Sequence, residues 1–156
     1  MVRYHNFDIV FAEIPGETTL AFNITNCPNR CPGCHSPHLT ADEGRMLDDA
    51  ELLALLACYG RSVTCVSFMG GDAEPQEIAR LAGVVRKNYP ALRTGWYSGR
   101  DELPKGLDIP AFDYIKLGGW VEAQGPLSSP TTNQRLYKVG PEGGMEDITH
   151  RFRRKP

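Results

Sequence analysis

The chain has 156 residues, 41% of them hydrophobic, and 17 Lys and Arg against 19 Asp and Glu give a formal charge of -2. That length suits one domain, residues 1–156, with a core that needs no disulfide staples, and the near-neutral balance gives no reason to expect nucleic acid as a partner. No apolar run of signal-peptide type opens the chain and no segment approaches the ~18 apolar residues of a membrane span. A cytoplasmic location is therefore expected, where an odd total of five cysteines favours metal or catalytic roles over disulfides.

In chain order, Tyr4 to Phe11 and Thr18 to Thr25 read as strands, rich in aromatic and β-branched residues and separated by the turn signal Ile14-Pro15-Gly16-Glu17. Leu47 to Tyr59 reads as a helix opened by Asp48 with Glu51 three residues on and closed by Gly60. Its run Leu52 to Cys58 is apolar almost all round, which predicts deep burial. Val63 to Phe68 is a short apolar strand ending in Met69-Gly70-Gly71-Asp72. From Pro75 to Tyr89 a second helix carries Ile78, Leu81, Ala82, Val85 and Tyr89 on one face.

Strands at Arg93 to Tyr97 and Phe112 to Leu117 follow, each running into a loop, Ser98-Gly99-Arg100 and Gly118-Gly119. Such alternation argues for a mainly parallel sheet with flanking crossover helices. In the tail, residues 126–156, Arg135 to Val139 and Asp147 to Phe152 suit edge strands or a hairpin, with Gly143-Gly144 as the turn.

The densest chemistry lies in residues 27–35, Cys27-Pro28-Asn29-Arg30-Cys31-Pro32-Gly33-Cys34-His35. Three thiolates this close do not readily pair off as disulfides, and the interleaved prolines and glycine let a loop wrap its sulfurs around one centre. Three sulfurs also leave one coordination position open. The same residues suit a zinc site completed by His35 or His38, or haem attachment through Cys31 to His35. Cys58 and Cys65, in apolar contexts, read as buried core. In parallel α/β folds ligands gather at the carboxyl ends of the strands, where the cysteine loop, Gly70-Gly71-Asp72, Ser98 and Lys116 all fall. Soft sulfur, glycine-rich backbone and a few charges there suit a polar, zwitterionic small molecule.

The C-x3-C-x2-C spacing of Cys27, Cys31 and Cys34, followed by FMGGD, YSGRD, DYIKLGG and SPTTNQRLY, resembles the radical S-adenosylmethionine superfamily. Within it the chain is similar to the small activating enzymes of anaerobic (class III) ribonucleotide reductase. The resemblance implies a partial, open βα barrel. It implies a 4Fe-4S cluster on Cys27, Cys31 and Cys34, with S-adenosylmethionine held by Gly70, Gly71 and Asp72. His35 would lie near the adenine, and Ser98 and Lys116 near the cofactor's carboxylate or ribose. It further implies reductive cleavage of the cofactor and a glycyl radical made on the reductase, with a donor such as flavodoxin as second partner. Activation of another glycyl radical enzyme, radical chemistry on a small molecule, and a non-catalytic zinc or iron-sulfur interaction module are the remaining readings.

Overall fold

The computed structural model describes residues 1–29, 39 and 41–153. Eight strands among these form one sheet: β1 (Arg3–Val10), β2 (Thr19–Ile24), β3 (Arg45–Met46), β4 (Cys65–Met69), β5 (Arg93–Tyr97), β6 (Tyr114–Leu117), β7 (Arg135–Val139) and β8 (Met145–Asp147). Two α-helices accompany them, α1 (Asp49–Tyr59) and α2 (Pro75–Asn88). The strand order is β3-β1-β2-β4-β5-β6-β7-β8.

Only the three central pairings, β2 with β4, β4 with β5 and β5 with β6, are parallel. The four outer pairings are antiparallel. The expected mainly parallel sheet of a βα barrel is thus corrected to a mixed, unclosed sheet with flanking helices. The reason lies in the connections, because a parallel pair needs a long crossover whereas a short turn returns the chain antiparallel. The turns at 11–18 and 140–144 are short, and antiparallel hairpins follow.

Alternation along the strands separates two faces. Leu20, Phe22, Ile24, Val66, Phe68, Trp96, Ile115 and Leu117 turn to one face and form the main core with Leu52, Leu56, Ile78, Leu81, Ala82 and Val85 of the helices. The other face carries no α-helix among the described residues. Its central positions Ala21, Ser67 and Gly95 are small because the 11–17 loop crosses them, with Ile14 Cδ1 only 2.8 Å from where a Cβ on Gly95 would stand. Ile14, Cys65, Tyr114, Leu136 and Ile148 make a second, smaller core there.

The helix ends follow their sequence signals. Asp48 caps α1 by accepting from Glu51 N at 2.8 Å, and Pro75 starts α2 where a missing N–H costs nothing. The buried face of α2 contains Ile78, Leu81, Ala82 and Val85. Its Arg86 guanidinium meets Asp113 at 3.1 Å, and the same carboxylate oxygen accepts from Thr94 N at 2.9 Å, which ties the helix to β5 and the start of β6. Two readings need correcting. In α1 only Leu52 and Leu56 are buried, while Cys58 is exposed, since a helix lying on a sheet hides one stripe and not its whole girth. In the tail the strand is Met145–Asp147, followed by a 3-10 turn at Thr149–Arg153 in place of an edge strand from Asp147 to Phe152.

Candidate functional site on the helix-free face

The parallel strands β2, β4, β5 and β6 deliver residues 25–29, 70–72, 98–100 and 118–119 to one edge of the sheet. Gly71 sits there at φ +94, and a Cβ on it would come within 2.5 Å of Ile78 Cγ1, so both its backbone angle and its contact with α2 require glycine. The turn it makes points Asp72 back across the strand ends. Asp72 is 3% exposed and its carboxylate is occupied on both oxygens. Ser98 Oγ donates to Oδ1 at 2.6 Å, while Gly99 N, at 2.8 Å, and Asn29 Nδ2, at 2.5 Å, donate to Oδ2. Ser98 Oγ in turn accepts from Arg100 N at 3.1 Å. Three loops are therefore clasped by one carboxylate. Donors on both oxygens leave the buried carboxylate fully satisfied.

Lys116, 7% exposed, donates from Nζ to Gly118 O at 2.9 Å and lies 5.3 Å from the centroid of the Tyr97 ring. Register places Asn23, Met69, Tyr97 and Lys116 side by side across β2, β4, β5 and β6. All four belong to the helix-free face, one residue from each strand's end or at it. Burial pushes the Tyr97 phenol well above its ordinary value, and the nearby Glu13 carboxylate adds to this. The phenol therefore stays protonated and donates to Glu13 O, which holds the 11–17 loop over the sheet.

Beside Tyr97 opens a groove of about 500 Å³. The 11–15 loop forms one wall and residues 126–128 with Arg151 and Phe152 form the other. Pro15, Tyr97, Pro126, Leu127 and Phe152 make it largely apolar, and Glu13 and Arg151 bring one charge of each sign. Neither charge has an ion-pair partner among the described residues. The groove has the size and the sparse convergent polarity of a small-molecule site.

The sequence-derived site residues divide as follows. Gly70, Gly71, Asp72, Ser98 and Lys116 lie on the same edge, and Asp72 and Ser98 are in direct contact. Cys27 is partly exposed and its Sγ lies 3.6 Å from Asn29 Nδ2. Cys31, Cys34 and His35 lie outside the described residues. Among the described residues no group of three or more His, Cys, Asp or Glu side chains could hold a metal ion. No family model, curated protein or solved structure matches this chain. The expectations of a 4Fe-4S cluster, bound S-adenosylmethionine and a radical activase are corrected on the absence of such a metal-holding group among the described residues, while Cys31, Cys34, His35 and His38 of the zinc reading lie outside them. No helix among the described residues is long and apolar enough to cross a membrane.

Reasoning from sequence missed Asn29, Glu13 and Arg151. Asn29 stands between two cysteines in the chain, yet it supplies a donor to the Asp72 clasp. Alternation could have found Asn23, Met69 and Tyr97, which share a parity with Lys116 on their strands. Nothing in the sequence brings Glu13 to Arg151, which are joined only by the way both segments fold over the helix-free face.

Proposed function

We propose that the protein binds a small zwitterion with an apolar body, of amino-acid type, in the groove on the helix-free face. The observation that carries this is the pair of opposite charges, Glu13 and Arg151, lining one apolar groove without an ion-pair partner among the described residues. The Arg151 fork suits a carboxylate, the Glu13 carboxylate suits an ammonium, and Tyr97, Leu127 and Phe152 offer the apolar wall between them. The clasp of Asp72 by Asn29, Ser98 and Gly99 keeps the strand ends rigid beside the groove, so little ordering has to accompany binding.

Thermal denaturation with leucine, methionine and phenylalanine, and with their amides and decarboxylated amines, tests the reading. In roughly hundredfold excess over Kd a ligand of the native state adds about 2.7 kcal/mol, or a rise of about 5–10 °C in Tm for a chain of this size. The free amino acids should raise Tm, and Arg151→Gln should remove the preference for acid over amide. Equal, null responses to all of these compounds would reject the assignment.

A further inference from the structure

The outer edge of β1 is open over most of its length. β3 covers that edge at Arg3 and Tyr4, and from Asn6 to Val10 no strand pairs with it among the described residues. An open edge presents a row of N–H and C=O groups that can pair with another strand. Asp8 Oδ1 accepts from Ile9 N at 3.0 Å in an exposed bond, which blunts one position of the row.

Exposed apolar surface gathers along the same edge. Among the described residues, the large hydrophobic side chains left exposed include Phe11 at 71%, Met46 at 44% and Tyr59 at 36%. Phe11 directly follows β1, Met46 stands on β3, and the Tyr59 ring at the end of α1 lies 5.3 Å from the ring of Phe7. Phe7 and Ile9 turn to the helix-bearing face, opposite Phe22 and Leu20, yet both are only partly buried. Apolar residues clustered in this way mark a surface that another chain covers.

We propose that β1 pairs antiparallel with β1 of a second copy of this chain, joining two eight-stranded sheets into one across a two-fold axis. The strand's own side chains favour this occupant. A two-fold axis normal to the sheet keeps each face on its own side, so opposed residues share a parity and one residue stands opposite itself. β3 confines the pairing to the stretch beyond Tyr4, whose middle holds Phe7 and Asp8. Centring on Asp8 would set two carboxylates face to face, which opposes pairing. Centring on Phe7 sets Asn6 opposite Asp8 of the second copy, twice by symmetry. Asn6 Oδ1 accepts from Asn23 Nδ2 at 2.7 Å, so its own Nδ2 remains to donate to that carboxylate. The same register gathers both Phe7–Tyr59 pairs on the helix-bearing face. It also brings Phe11, at the end of one β1, toward Met46, beside the start of the other. The pairing does not depend on what the Glu13–Arg151 groove binds.

Sedimentation equilibrium of the full chain over a range of concentrations tests the proposal. A monomer–dimer equilibrium is expected. Asn6→Asp sets two pairs of carboxylates face to face and should weaken the dimer by about tenfold. Combining it with Asp8→Asn exchanges amide and acid, and should restore association. Phe11→Glu should weaken the dimer as well. Asn6, Asp8 and Phe11 are all exposed, so the variants should keep the circular dichroism spectrum of the parent. A monomer at every concentration, a dimer indifferent to Asn6→Asp, or a weakened dimer that the double variant fails to restore would overturn the pairing.

Discussion

Ser98 Oγ lies 2.6 Å from Asp72 Oδ1, the two residues 26 positions apart in the chain and both side chains buried. The contact joins the ends of two neighbouring parallel strands, and through Asn29 and Gly99 the same carboxylate reaches a third loop and the backbone. Ser98→Ala removes one donor and leaves Asp72 Oδ1 buried without one. The expected cost is about 1–3 kcal/mol, read as a lower urea midpoint with an unchanged m-value.

Gly71 and Gly83 should respond oppositely to the same substitution. Gly71→Ala forces a Cβ at φ +94 to within 2.5 Å of Ile78 Cγ1, so both strain and overlap oppose it. A loss of about 2–4 kcal/mol follows from the two effects together. A Cβ on Gly83, within α2, would find nothing within 4 Å. Gly83→Ala should therefore stabilise by about 0.5–1 kcal/mol. Urea denaturation of both variants checks the contrast.

Acid should destabilise the fold through two paired carboxylates. The hydrogen bond from Arg80 holds Glu77 below its ordinary value of 4.5, although burial opposes this. At Asp147 burial acts to raise the value, but the bonds from Arg135 and Thr149 outweigh it and the net shift is downward. A folded-state value below the unfolded one contributes stability above the unfolded value, and that contribution is lost as pH falls through the folded one. These groups should thus leave urea midpoints flat between about pH 5 and pH 7 and lower them below about pH 4. The Glu77→Gln, Asp147→Asn double variant should show a shallower acid loss.

Cys58 and Cys65 should differ sharply toward an alkylating reagent. Burial pushes the Cys65 thiol well above its ordinary value, and the Glu17 carboxylate adds to the effect. Cys58 is exposed on α1. In the native protein at mildly alkaline pH, peptide mapping should find Cys58 modified and Cys65 intact, with Cys65 reacting only after denaturation.

Local patterns carried much of the fold in advance. Asp48 and Pro75 marked the helix starts, and the spacing from Ile78 to Val85 marked the buried face of α2, because capping and amphipathic periodicity are properties of a few neighbouring residues. The girth of α1 misled, since Leu52 to Cys58 is apolar in composition while only one stripe meets the sheet. The short motifs at the strand ends misled further: they suggested a cluster and its cofactor, whereas the described residues instead show an acid, Asp72, satisfied by its own loops.

The sequence by itself determined where the helices begin and that alternate side chains of a strand share a face. Only the tertiary structure decided that the outer strands run antiparallel, that the 11–17 loop lies across the helix-free face, and that Glu13 faces the same groove as Arg151. The physical reason is range. Periodicity and caps act over one or two turns of chain, whereas strand direction, loop docking and the meeting of opposite charges depend on contacts between segments up to 138 positions apart that no local pattern encodes.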